Sequence, residues 1–276
     1  MQNYLWKYLS LEKFISILEN SGMYFSTIKN LKCNLDPEEC CVIDFFTNYK
    51  IKELSNYKSL CGDLDKKLSN LKKTYCDIKN DVLDNIFVCS FTNDVVENYA
   101  LWKIYPTDIN GNTQINQGIA IKIDINYFKK LIENPCFVMS DGNIIDTYRV
   151  FLKEMDYKSR SEIIELAKLL DTIENCHKFY ELLHSLKLEY YNYEKEVRAI
   201  IQMFSENKNN CTGGFLKLNL NELFDIAHTQ IILSPYAQKN LYDYVNFLLK
   251  KHGINKEILI NQSSILIQNP FSFASL

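Results

Sequence analysis

Three short apolar runs, IFVCSF at 86–91, GIAIKIDI at 118–125 and QIILS at 230–234, set the architecture this chain can adopt. A fourth stretch, YEKEVRAIIQM at 193–203, begins charged and turns apolar. Each is far shorter than the roughly 18 apolar residues that a spanning helix needs. Runs of this length, bounded by polar or turn-forming residues, read as buried strands. Helical patterns fall between them without a regular strand–helix–strand rhythm. No internal repeat and no Pro- or Ser-rich linker divides the 276 residues. The expectation is one α+β domain over 1–276, built on a mixed, mainly antiparallel sheet. The polar, Lys-rich stretch 42–85 is expected to be a helical insertion.

The opening is the clearest local pattern. YLWKYLS at 4–10 predicts a strand, and Ser10 is placed to cap a helix carrying Leu11, Phe14, Ile15 and Leu18 on one face. Gly22 is placed to end that helix, and MYFS at 23–26 predicts a second strand. Residues 27–39 read as a loop, and 98–105 as a short helix stopped by Pro106. Asp141-Gly142 predicts a hairpin turn, 159–187 one or two helices, and 214–218 another strand. Ser234-Pro235 is placed to open a long helix ending near Gly253. ILINQSSILIQ reads as one or two closing strands.

Composition narrows the function classes. A formal charge of -3 gives no global attraction to nucleic acid or to an anionic membrane. The nine cysteines are an odd number without a C-x-x-C pair, and no secretory leader pattern opens the sequence. A cytoplasmic, reducing setting with no membrane partner is therefore expected. The four histidines, His177, His184, His228 and His252, form no helical ligand pair, so no metal is predicted. Phosphate-loop, dinucleotide-binding and nucleophile-elbow motifs are all missing.

Four clusters could carry chemistry. On a strand over 193–203, alternation places Glu194, Glu196, Arg198 and Ile200 on one face. Either Arg198 simply pairs with a glutamate, or Glu196 works in a cleft with Arg198 orienting it or binding a phosphate. Ser90-Phe91-Thr92 ends a buried strand, as a turn cap or as a ligand contact. Trp102 and Tyr105 share a helix face, either as core or as a sandwich for a planar ring. Asp36-Pro37-Glu38-Glu39 could start a helix, hold an arginine, or bind a cation through Asp36 and Glu39.

Taken in order, several stretches resemble bacterial domain-of-unknown-function family 2971. They are LWKYLS at 5–10, MYFS at 23–26, LDPEE at 35–39, SFT at 90–92, WKIY at 102–105, GIAIKID at 118–124, YEKEVR at 193–198 and IILSP at 231–235. Leu35 stands where the family pattern has Asn, Trp6 where it has Tyr, and Thr92 where it has Ser. A second similarity is to ADP-ribosyltransferases, which place a polar residue on a first strand, a hydroxyl on a second and a glutamate on a later one. The similarity implies Tyr8 or Ser10 in the first role, Ser90 in the second and Glu196 in the third. It implies NAD as substrate, with Trp102 or Tyr105 on the nicotinamide and Arg198 or Lys7 on the pyrophosphate. It also implies a macromolecular target, a toxin or anti-phage role, and an inhibitory partner protein. Two other readings stay open. One is a non-catalytic sensor or binding module of a defence system. The other is a metal-dependent nuclease using Asp36, Glu39 and Glu196.

Overall fold

The computed structural model describes residues 3–34, 41–56, 64–107, 111–133, 135–145, 148–169, 184–203, 211–254 and 260–265. Its strands are β1 (Tyr4–Ser10), β2 (Gly22–Thr27), β3 (Ile86–Thr92), β4 (Gly118–Asp124), β5 (Cys136–Met139), β6 (Ile144–Ile145) and β7 (Tyr148–Glu154). They continue with β8 (Asp156–Lys158), β9 (Leu186–Leu188), β10 (Glu196–Met203), β11 (Gly213–Lys217), β12 (Thr229–Leu233) and β13 (Ile260–Gln262). Its helices are α1 (Leu11–Glu19), α2 (Ile28–Asn34), α3 (Cys41–Asn56), α4 (Leu64–Asn85) and α5 (Tyr99–Ile104), then α6 (Ile125–Leu131), α7 (Arg160–Leu169), α8 (Leu220–Leu223) and α9 (Lys239–Lys251). Pairs β1–β3, β1–β4, β4–β12, β2–β3 and β7–β10 are antiparallel, while β12–β13 and β8–β9 are parallel. The fold is α+β with a mixed, mostly antiparallel sheet. Among the described residues, no helix is long and apolar enough to cross a membrane.

The contacts divide the chain into two compact units. The first comprises Met1–Tyr24, Ser90–Phe137 and Phe215–Leu276. In it β4 lies between β1 and β12, with register Tyr4↔Asp124 through Ser10↔Gly118 on one side and Thr229↔Ile123 through Leu233↔Ile119 on the other. Ile119, Ala120, Ile121 and Ile123 are all fully buried, so both faces of β4 are covered. That explains an apolar run without alternation. One face carries Trp6, Tyr8, Ala120 and Ile232, packed under Leu101 and Trp102 of α5. Helix α1 begins as expected, with Ser10 Oγ accepting the Lys13 amide at 3.4 Å.

Two expectations in this unit are corrected. Gly22 does not end α1: Asn20 caps the helix, Ser21 takes the left-handed turn at φ 46°, and Gly22 opens β2. Gly22 is there because a Cβ would come within 2.3 Å of the Leu216 carbonyl oxygen. Helix α9 does not start at Ser234-Pro235 either. Ser234 is buried just past the end of β12, its amide bonded to Gly118 O at 2.9 Å. Its Oγ accepts the Tyr236 amide at 3.2 Å, and the helix begins only at Lys239. It ends near Gly253, which takes φ 73°.

The second unit comprises Phe25–Cys89 and Val138–Gly214. Strand β10 pairs with β7 from Val197↔Glu154 to Met203↔Tyr148. Residues 28–34, expected in a loop, form α2, because Thr27 Oγ1 accepts the Asn30 amide at 3.1 Å and caps a helix start. Helices α3 and α4 occupy the stretch read as a helical insertion. Lys32 of α2 and Lys79 of α4 both pair with Asp44 of α3. Ile28, Val82, Ile86, Val88 and Ile200 form one core cluster. The Asp141-Gly142 turn closes a hairpin, with Gly142 at φ 89° and its amide on Met139 O at 2.9 Å.

Candidate functional site

The second unit buries four charged side chains together. Lys187 sits at the centre of β9, between the buried Leu186 and Leu188, so alternation sends it to the opposite side. A two-turn 3-10 helix over Glu189–Glu194 follows, and Lys195 takes a left-handed conformation at φ 42°. Strand β10 therefore begins at Glu196, and Glu194 is not on it as the sequence predicts. The two acids still converge: Lys187 Nζ lies 2.7 Å from Glu194 Oε2 and 3.0 Å from Glu196 Oε2. Arg198 closes the group, with Nε donating to Glu196 Oε1 at 2.7 Å and Nη2 to Oε2 at 3.2 Å.

The exposures of these side chains are 10% for Lys187, 8% for Glu194, 3% for Glu196 and 2% for Arg198. Two cations and two carboxylates balance, which is what allows them to be buried at all. Burial pushes the Glu194 carboxyl above its ordinary range against the pull of Lys187. The Glu196 amide donates to Tyr157 Oη at 2.8 Å, and burial pushes that phenol up to about 12. His184 is also buried, edge-on to Phe151 with ring centroids 5.9 Å apart. Burial, with the charges of Arg198 and Lys153 added, brings its imidazole down to about 4.

The first unit holds the other described candidates. Tyr8 is buried, edge-on to Trp102 at 4.8 Å, and its hydroxyl accepts the Asn98 amide at 2.9 Å. Burial raises its phenol well above the usual range, reinforced by the charges of Glu97 and Asp94. Trp102 is fully buried and donates Nε1 to Glu97 at 3.2 Å; Tyr105 packs against the same cluster. Ser10 is buried as the cap of α1. Lys7 Nζ donates to the Ser90 carbonyl at 3.0 Å and lies 5.0 Å from the centre of the Phe91 ring.

Glu194, Glu196 and Arg198 are thus brought together in one unit. Tyr8, Trp102 and Tyr105 are brought together in the other, where Lys7 meets Ser90. Asp36 and Glu39 lie outside the described residues. Among the described residues, no group of three or more His, Cys, Asp or Glu side chains is arranged to hold a metal ion.

Lys187, Tyr157 and Glu97 carry contacts at these sites that sequence reasoning missed. Lys187 lies in a stretch read as helix, and only the apolar–polar alternation of Leu186-Lys187-Leu188 signals a strand. Glu97 has no local signal. Its carboxylate gathers Trp102 together with Ser263 and Ser264, more than 160 residues away along the chain. No known family, curated protein or solved structure matched the chain in comparison.

Proposed function

We propose that the protein is an ADP-ribosyltransferase-like enzyme, with Glu196 as the working carboxylate, NAD as substrate and a macromolecule as acceptor. The observation that carries this reading is the fixed carboxylate at the start of β10, oriented by Arg198 through both oxygens and by Lys187 through one. A group positioned before substrate arrives needs no reorganisation during reaction. Breaking the nicotinamide–ribose bond sends the electron pair to nicotinamide and leaves positive character on the ribose. A carboxylate that accepts a ribose hydroxyl stabilises that centre while the acceptor nucleophile bonds to it and loses its proton. A toxin or anti-phage role follows from the resemblance drawn from the sequence.

The test is release of nicotinamide, or transfer of labelled ADP-ribose to protein or nucleic acid in a cell extract. Glu196→Gln is expected to lower the rate by about 100-fold or more. Unfolding midpoints identify a variant that has lost its fold, and Glu196→Asp, which keeps the charge, serves as the second variant. A wild-type protein that neither consumes NAD nor labels any acceptor ends this reading.

One observation favours a non-catalytic binding module instead: both Glu196 oxygens are already bonded within their own unit. In that reading the pair is a brace. Replacing Glu196 and Arg198 together by methionine would then preserve partner binding, whereas the transferase would lose its activity.

A further inference from the structure

Tyr99 and Lys103 are four residues apart on α5 and share a face. The α5 backbone is held by Asn98, whose Oδ1 accepts the Ala100 amide at 3.0 Å. Tyr236 stands in the turn after β12, its own amide fixed by Ser234 Oγ. The two phenol oxygens meet at 2.5 Å, with rings 6.5 Å apart and inclined at 39°. The Lys103 ammonium lies 4.7 Å from the Tyr236 ring centre and 5.4 Å from that of Tyr99. All three residues belong to the first unit, and neither the buried quartet nor the Tyr8 cluster uses them.

We propose that Tyr236 is a modification site: a nucleophilic phenol that accepts an electrophilic group from an anionic donor of the phosphoanhydride class. The Tyr99 hydroxyl, in hydrogen-bond contact with the Tyr236 oxygen, and the Lys103 ammonium over the Tyr236 ring both stabilise that oxygen as its proton leaves. The contact with the Tyr99 hydroxyl, followed by the nearby Lys103 ammonium, moves the Tyr236 phenol below its ordinary value. In transfer, the Tyr236 oxygen attacks phosphorus and the O–P bond forms as the anhydride P–O bond breaks. The leaving phosphate takes the electron pair, and the phenolic proton passes to solvent. Lys103 is exposed and its ammonium lies over the Tyr236 ring, so its charge also attracts a negatively charged donor.

The test uses two sulfonyl fluoride probes on the full chain, one neutral and one bearing a carboxylate, with sites read by peptide mass spectrometry. The Tyr236 oxygen displaces fluoride from sulfur in the same sense. Tyr242 and Tyr244, exposed on α9, are the internal reference. Tyr236 is expected to label about ten-fold faster than either, and fastest with the anionic probe. Lys103→Met is expected to abolish both the excess rate and the anionic preference, and Tyr99→Phe to reduce the rate several-fold. Circular dichroism checks that each variant is folded. Labelling of Tyr236 no faster than the two reference tyrosines, or unchanged labelling in Lys103→Met, overturns the proposal.

Discussion

Arg198 grips Glu196 from two residues further along the same strand, Nε to one carboxylate oxygen at 2.7 Å and Nη2 to the other at 3.2 Å. Residues i and i+2 of a strand share a face, so this pair is set by the backbone itself. Removing one member leaves a buried charge without its strongest partner. Arg198→Met is expected to lower the unfolding free energy by about 3–5 kcal/mol. In urea titrations, the Glu196→Gln/Arg198→Met double variant is expected to lose less than the sum of the two single losses, because the sites are coupled.

Gly22 predicts a backbone cost of a different kind. A methyl group there meets the Leu216 carbonyl, and a backbone atom cannot rotate away as a side-chain end can. Gly22→Ala is expected to destabilise the protein by about 1–3 kcal/mol, read as a lower midpoint in chemical unfolding.

The pH dependence of stability should carry the signature of His184. Its imidazole titrates near 4 in the fold against an ordinary 6.5, so between those values the unfolded chain binds the extra proton. The stability tied to neutral His184 is therefore full above pH 6.5 and is lost as pH falls toward 4. Glu194, whose value is raised, slopes the other way: its contribution is full below its ordinary value and is lost as pH rises. Comparison of wild type with His184→Gln isolates the first effect. The variant is expected to lose a slope of up to about 1.4 kcal/mol per pH unit between pH 6.5 and 4.

Glu97 is predicted to hold the segment around Ser264. Its carboxylate accepts the Ser264 amide at 2.9 Å and the Ser264 hydroxyl at 3.0 Å, besides bonds from Ser263 and Trp102. Glu97→Ala is expected to speed hydrogen exchange at the Ser264 amide and to cost about 1–3 kcal/mol. Exchange there at the wild-type rate would show that the segment is held by other contacts.

Local signals were readable where one residue type decides the outcome. Ser10 caps α1 as its hydroxyl predicts, and the continuous apolar run at β4 reports a strand covered on both faces. Thr27 carried an equally valid cap signal, but the polar residues after it concealed a helix of only seven residues. Ser234 looked like a helix cap and instead caps the turn after β12, held there by its amide bond to Gly118. At the candidate site, Glu196 and Arg198 are neighbours by strand alternation and were legible as such. Glu194 reaches the same ammonium only because Lys195, a residue with a side chain, adopts a left-handed conformation that no local pattern announces.

The quartet of Lys187, Glu194, Glu196 and Arg198 is electroneutral and nearly sealed from water, which bears on how this chain can change over generations. A substitution that deletes one charge leaves the remaining three unbalanced in a low-dielectric place, and selection acts on that defect at once. Descendants that lose an acid here are expected to lose a base as well, so these four positions drift as pairs of opposite sign.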